Sequence, residues 1–167
     1  MRQRGFTLIE LMVVVVIIGI AASLIVVTIG SDPLGRRAED ETRRAAALLE
    51  LAQEQAILEG REYAVGLARD GYRFYRLQGA DWVAVQDDAL LRPRTLEPGL
   101  VIELRVEDAQ VPLTEDGDAR EAPQLVLYSS GERTPFELTI APEGLTSGPA
   151  LRGKTFGRLE IELPDST

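Results

Sequence analysis

The stretch Gly5-Phe6-Thr7-Leu8-Ile9-Glu10, followed by residues 11–30 without a single charged side chain, decides how this chain is organised. Leu, Val and Ile dominate the uncharged run. A helix rises about 1.5 Å per residue, so about 20 apolar residues are enough to cross a hydrocarbon core of about 30 Å. The sequence therefore predicts a transmembrane helix that carries one carboxylate, that of Glu10, at its entrance.

The carboxylate of Glu10 needs a partner, because an acidic side chain costs about 3 kcal/mol at the middle of a membrane helix and less toward the interface. Phe6 lies four residues before Glu10, so on a helix the two residues share a face and are separated by about 6 Å along the axis. If the chain were cut after Gly5, Phe6 would carry a free ammonium group at that place. Gly5 suits such a cut, because a residue without Cβ lets a protease approach an extended backbone closely.

Residues 4–10, RGFTLIE, together with the apolar run resemble the class III signal of type IV pilins and pseudopilins. The resemblance implies cleavage between Gly5 and Phe6 by prepilin peptidase, and N-methylation of Phe6. It also implies that Glu10 pairs with the N-terminal amine of a neighbouring subunit as a filament assembles. The alternatives are a signal anchor whose glutamate is incidental and an ordinary secretory signal. The secretory signal fits less well, because no A-x-A-like site follows the run.

The composition excludes several classes of function. The chain has 27 acidic and 18 basic residues and a net charge of −9, which argues against a nucleic-acid partner because phosphate binding needs a basic patch. It has no cysteine and no histidine. The lack of histidine removes Ser-His-Asp triads, His-ligated zinc and the usual general base. We therefore expect a protein that is not an enzyme, with no catalytic residue, no cofactor and no metal ligand.

A second helix is predicted after the apolar run. Pro33 disfavours helical geometry at the preceding residue, so we expect a break or kink there, and Gly60 supplies the C-terminal stop. Between them, small and apolar residues recur at alternating spacings of four and three, which is typical of one buried helix face: Ala38, Thr42, Ala45, Leu49, Ala52 and Ala56. Residues 36–44 are rich in charge and are expected to form an exposed stalk.

Beyond Gly60 the apolar period changes to two, which indicates short strands. They are predicted at residues 63–67, 72–77, 82–85, 91–96, 100–106, 125–128, 136–140 and 159–163. Residues 125–128 are apolar on both faces and predict a central strand. Residues 107–123 predict a long loop, and residues 141–153 predict a Gly/Pro-rich connection.

These elements predict an α+β fold in which a long N-terminal helix, transmembrane and then exterior, packs on an antiparallel β-sandwich or two small β-sheets. The expected domains are a cleaved leader at 1–5, a transmembrane and assembly helix at 6–30, the exterior part of the helix at 31–60 and a periplasmic β domain at 61–167. Arg2 and Arg4 favour a cytoplasmic N-terminus.

Residues 128–136, YSSGERTPF, resemble the S-G-E-x-T-P-F hairpin of the H-type minor pseudopilin of type II secretion. The resemblance implies a structural subunit near the tip of the pseudopilus that takes part in protein export across the outer membrane. Its implied partners are the major pseudopilin, the other minor pseudopilins, prepilin peptidase and inner-membrane lipid. The implied location is the bacterial inner membrane, crossed once, with the C-terminal domain in the periplasm. The alternative is a minor pilin of a type IV pilus, used for assembly, adhesion or DNA uptake; a DNA-binding pilin should have a basic exterior, and this chain is acidic.

Two further motifs suggest ligands. Residues 148–155, GPALRGKT, match the P-loop pattern G-x-x-x-x-G-K-[ST], but a working P-loop opens a helix and here Thr155 enters an alternating strand. We expect no nucleotide site there. The acidic residues 115–121 could supply oxygen ligands to calcium, although they lack the EF-hand order of ligands, and the sequence leaves calcium binding open.

Overall fold

The computed structural model describes residues 8–28, 33–114, 123–145 and 147–164, with side chains described up to residue 18 in the first helix. The chain divides into two compact units, Met1–Pro33 and Leu34–Thr167. Helix α1 spans Leu8–Thr28 and contains neither proline nor, after Glu10, any charge. Judged on the described residues alone, no helix is long and apolar enough to span a membrane.

Helix α2 spans Pro33–Glu59, and the predicted break before it falls on residues outside the described part of the chain. Pro33 occupies the first turn, where its missing N–H would have no helical partner. Every member of the predicted apolar stripe is buried. Gly60 ends the helix in the left-handed region at φ 62°, and Arg61 N donates to Ala56 O at 3.1 Å, which is the longer hydrogen bond of a Schellman cap. The stripe and its stop are thus confirmed.

The prediction that residues 36–44 form an exposed stalk is wrong. Ala38, Glu41 and Thr42 are buried in the first half of α2. The Glu41 carboxylate accepts a hydrogen bond from Tyr72 Oη at 3.0 Å and pairs with Arg44 Nη1 at 2.6 Å. The small side chains let the helix lie close to the β domain, and the two partners of Glu41 offset the free energy that burying a carboxylate costs.

Ten strands lie within the described residues, and all their pairings are antiparallel. The strands are β1 Tyr63–Ala68, β2 Gly71–Gln78, β3 Asp81–Ala84, β4 Arg94–Thr95, β5 Leu100–Val106, β6 Ala109–Val111, β7 Leu125–Leu127, β8 Phe136–Pro142, β9 Ala150–Gly153 and β10 Glu160–Glu162. The first sheet has the order β3-β2-β1-β7, with β4 also paired to β2, and the second has the order β10-β9-β8-β5-β6. The predicted α+β class with two small antiparallel sheets is confirmed.

Strand β7 lies at the edge of the first sheet, so the prediction of a central strand is wrong. It pairs with β1 on one side only. On the other side Thr134 covers it: Thr134 N donates to Val126 O at 2.9 Å, and Val126 N donates to Thr134 Oγ1 at 3.1 Å. The apolar character of this strand therefore reflects burial of Leu125 and Leu127 at a protected edge.

The segments predicted as loops also contain strands. Strand β6 lies within residues 107–123 and is joined to β5 by the two-residue turn Glu107-Asp108, with φ angles of 49° and 66°. Two residues with positive φ define a type I′ hairpin turn, for which Asn-Gly is the usual sequence. The turn was missed because Glu-Asp does not carry that signature. Strand β9 likewise lies within residues 141–153.

One hydrophobic core joins α2 to both sheets. The alanine stripe of the helix belongs to the same buried cluster as strand residues that include Val65, Phe74, Leu104 and Leu138. The rings of Tyr72 and Phe74 meet edge to face with centroids 6.0 Å apart. Because both sheets contribute to the same core, α2 is the common support of the β domain.

The strained hairpin turn yields a prediction about stability. Replacing Glu107-Asp108 by Asn-Gly should raise the free energy of unfolding by about 1 kcal/mol, because Asn and Gly accept positive φ more readily than Glu and Asp. Urea denaturation followed by the fluorescence of Trp82 measures the change. A midpoint equal to or below that of the unsubstituted chain would contradict this account of the turn.

The buried pair of Tyr72 and Glu41 yields a second prediction. Burial and the negative charge of Glu41 raise the pKa of Tyr72 above its ordinary value of about 10. The folded state therefore resists ionisation of Tyr72. The contribution of this tyrosine to the free energy of unfolding is complete below about pH 10 and is lost as the pH rises through the folded pKa. Tyr72→Phe should lower the free energy of unfolding at neutral pH by about 1–3 kcal/mol, since Glu41 loses a buried donor.

The same denaturation experiment, repeated at alkaline pH, tests the pKa argument. Tyr72→Phe should flatten the decline of stability above about pH 10, leaving the smaller decline that the raised pKa of Tyr63 produces. Tyr128→Phe, at an exposed tyrosine, is the matched control and should change neither quantity. An unchanged stability and an unchanged alkaline decline in Tyr72→Phe would refute the argument.

Candidate assembly site

The described part of α1 presents apolar side chains on every side. Among residues 8–18 the large hydrophobic side chains are between 43% exposed, at Val14, and 78% exposed, at Leu8. A helix that is apolar all round is normally covered, either by other helices or by lipid, and exposed apolar surface of this extent marks an interaction site. Helix α1 is therefore the first candidate for contact with lipid or with helices of other chains.

Glu10 lies in the first turn of α1, as the sequence predicts. The positive end of the helix dipole favours a carboxylate at this position. Gly5 and Phe6, the predicted cleavage and methylation residues, lie outside the described part of the chain. Cleavage after Gly5, methylation of Phe6 and the pairing of Glu10 with an N-terminal amine thus stay predictions.

The YSSGERTPF segment forms the connection between the two sheets. Gly131 has φ 89°, a conformation that glycine adopts without strain, and Gly131 N donates to Tyr128 O at 3.0 Å. Tyr128 N donates to Glu132 O at 2.8 Å and closes the turn. Arg133 forms an antiparallel bridge with Leu127, so the expected hairpin is confirmed over these residues. Phe136 then begins β8, whose partners β5 and β9 belong to the second sheet, so the segment, which we call the crossover turn, also carries the chain from one sheet to the other.

Two buried polar side chains attach this turn to its surroundings, and the sequence analysis missed both. Gln53 of α2 donates from Nε2 to Tyr128 O at 2.9 Å, and Arg133 donates from Nη2 to Gly157 O at 2.7 Å. Burial lowers the pKa of Arg133, and the nearby charge of Glu50 opposes that shift. A glutamine among the alanines of a buried helix face was the available signal for Gln53.

The P-loop-like residues 148–155 do not form a phosphate-binding loop that opens a helix. Residues Ala150–Gly153 are strand β9, which pairs with β8 and β10. Lys154, which would reach a phosphate in a P-loop, pairs with Glu160 at 2.8 Å. The letter-for-letter match lies on a β-strand, so its residues are not arranged to cradle a nucleotide.

The acidic side chains of β10, Glu160 and Glu162, are exposed. Glu162 pairs with Arg152, and the ammonium group of Lys154 lowers the pKa of Glu160. Within the described residues, no group of three or more His, Cys, Asp or Glu side chains is placed to hold a metal ion. Residues 115–121 lie outside those residues, so the question of calcium stays open.

Comparisons with known protein families match both parts of the chain. Residues 1–26 match the prokaryotic N-terminal methylation motif. Residues 41–155 match the family described as type II transport protein GspH. The second match contains α2 from Glu41 onward, strands β1 to β9 and the crossover turn.

Relatives and solved structures agree with these matches. The chain is 37% identical to type II secretion system protein H of Pseudomonas aeruginosa, over 95% of this chain and 96% of the relative, and 33% identical to that of Escherichia coli, over 86% and 83%. The crystal structure of the minor pseudopilin EpsH from the type II secretion system of Vibrio cholerae has a TM-score of 0.68 at 27% identity and covers 80% of this chain and 98% of that one. The comparisons favour the H-type pseudopilin over the type IV pilus alternative. The chain therefore belongs to the type II transport protein GspH family, the H-type minor pseudopilins of the type II secretion system.

Proposed function

We propose that this chain is cleaved after Gly5, methylated at Phe6 and built into the pseudopilus near its tip, with Glu10 fixing its register. The observation that carries the proposal is the RGFTLIE motif directly before an uncharged run whose residues 11–28 lie in α1, within a segment that matches the N-terminal methylation motif. The placement of Glu10 in the first helical turn supports it.

Before assembly, the chain rests in the inner membrane. Residues 11–30 carry no charge, and Arg2 and Arg4 favour a cytoplasmic N-terminus, so the β domain lies in the periplasm. The large exposed side chains of residues 8–18 would then be covered by lipid. Assembly moves α1 from lipid into a bundle of similar helices.

The move from lipid to a helix bundle gives little free energy by the hydrophobic effect, because lipid chains and apolar side chains are similar environments. Selection between correct and incorrect registers therefore depends on charge. In the correct register, the Glu10 carboxylate meets the terminal ammonium of a neighbouring subunit. In an incorrect register each charge is buried alone, and an unpaired buried charge costs several kcal/mol. The pair rejects wrong positions more than it strengthens the right one.

The proposed partners are the major pseudopilin and the other minor pseudopilins, with prepilin peptidase as the processing enzyme. The relatives support this, since they are named as type II secretion system protein H, and the solved structure from Vibrio cholerae is described as a minor pseudopilin. The chain serves as a structural subunit and not as an enzyme, and it does not bind nucleic acid. Its acidic balance, with a net charge of −9, supports the last point.

The pairing role of Glu10 predicts the behaviour of Glu10→Val. The variant should be processed normally but should enter the pseudopilus at least about tenfold less, because a terminal ammonium is then buried without a partner and a loss of about 1.4 kcal/mol already corresponds to tenfold. Quantitative immunoblotting of sheared pseudopilus fractions measures incorporation, and the N-terminal mass measures processing.

Glu103→Val is the matched control, because it removes a carboxylate from an exposed position in β5. It should assemble like the unsubstituted chain. Equal incorporation of Glu10→Val and Glu103→Val would exclude the proposed pairing.

A further inference from the structure

The end of α2 carries exposed apolar side chains on the face that looks away from the core. Leu58 is 84% exposed and Ile57 is 51% exposed. Tyr128, in the crossover turn, and Phe156, in the bend after β9, are exposed as well. These four residues, which we call the α2-end patch, are not used by the assembly helix or by the core.

Contacts link the three segments that carry the patch residues. The backbone at Gly131 is next to Ile57, since a Cβ built on Gly131 would lie 3.7 Å from Ile57 Cδ1. On the other side of the turn, Arg133 N donates to Thr155 O at 3.0 Å and its guanidinium group donates to Gly157 O. The backbone on either side of Phe156 is therefore hydrogen-bonded to the turn, and the turn lies between Ile57 and the segment that carries Phe156.

The patch is also fixed in shape. Gln53 holds the turn to α2 through Tyr128 O, and Arg133 is 8% exposed beneath the surface. A preformed surface loses little conformational entropy when a partner binds. Besides connecting the two sheets, the YSSGERTPF segment therefore holds Tyr128 next to the end of α2.

The surroundings of the patch indicate the charge of its partner. Exposed carboxylates border it on α2 and in the turn: Glu50, Glu54, Glu59 and Glu132. Glu54 and Glu132 form no ion pair with other described residues. Residues 45–59 of α2 contain no Lys or Arg, and the exposed bases nearest in sequence to the patch are Arg61, Arg158 and Lys154, of which Lys154 pairs with Glu160. The rim is therefore acidic on its α2 side, and complementary charge favours a basic partner there.

We propose that the α2-end patch docks a different subunit of the pseudopilus, which presents an apolar side chain flanked by lysine or arginine. A second copy of this chain is disfavoured, because a two-fold contact would place the same acidic rims against each other. The proposal rests on the proposed function, since it names the partner class of a pseudopilus subunit.

Site-specific photo-cross-linking in cells that assemble the pseudopilus tests the partner. Leu58 of the full-length chain is replaced by p-benzoylphenylalanine, and Leu90, an exposed leucine in the segment between β3 and β4, is replaced in the matched control. Position 58 should cross-link to a peptide of a different pseudopilin that contains lysine or arginine, and position 90 should not. A cross-link to a second copy, or no cross-link at position 58, would overturn the proposal.

Incorporation of charge variants tests the chemistry. Leu58→Glu and Glu54→Lys should each lower incorporation at least about fivefold while leaving processing and protease resistance unchanged, and Leu90→Glu should not. If Glu54→Lys assembles normally, the basic partner is excluded; if Leu58→Glu does so, the patch is not a docking surface. An unsubstituted chain absent from pseudopilus fractions would instead contradict the proposed function, so the two failures are distinguishable.

Discussion

A single carboxylate at the entrance of an uncharged helix is the constraint on which the proposed role of this chain depends. Glu10 lies in the first turn of α1, and the large side chains that follow it to residue 18 are all exposed. Lipid or neighbouring helices can cover such a surface in many registers, since apolar contacts do not distinguish one register from another. A buried charge does distinguish them, because only one position supplies its counter-ion. In the proposed assembly, the helix keeps the chain in an apolar environment and Glu10 fixes its register.

In the second unit, helix α2 has two roles: one face packs in the core, and its end carries part of the α2-end patch. Its buried face contributes alanines and leucines to a core shared by both sheets, and its outer face is charged until it reaches Ile57 and Leu58. Where the buried face is polar, the chain supplies specific partners: Tyr72 and Arg44 for Glu41, and Tyr128 O for Gln53. The second of these contacts fixes the crossover turn that links the sheets. The same hydrogen bond therefore stabilises the domain and shapes the α2-end patch.

The helical stripe and most strands of this fold could be predicted from the sequence, because their apolar periods are long and uninterrupted. The errors fall where a tertiary contact replaces a local signal. The charges of residues 36–44 predict an exposed stalk. Glu41 is buried instead, because the distant Tyr72 donates a hydrogen bond to its carboxylate. The apolar residues of strand β7 predict a central strand, but Thr134, and not a neighbouring strand, covers its outer edge. For the site, Gly5, Phe6 and Glu10 are named by the motif alone, whereas Arg133 became visible only through its contact with Gly157.

The mass of the N-terminal peptide of the native chain, purified from membranes, is the most direct test of this account. In the proposed processing, removal of the leader exposes the amino group that would pair with the Glu10 carboxylate of a neighbouring subunit. The account predicts a peptide that begins at Phe6 and carries one methyl group on its terminal nitrogen. A native chain that still begins at Met1 would contradict it, because the terminal ammonium would then lie nine residues before Glu10 instead of four.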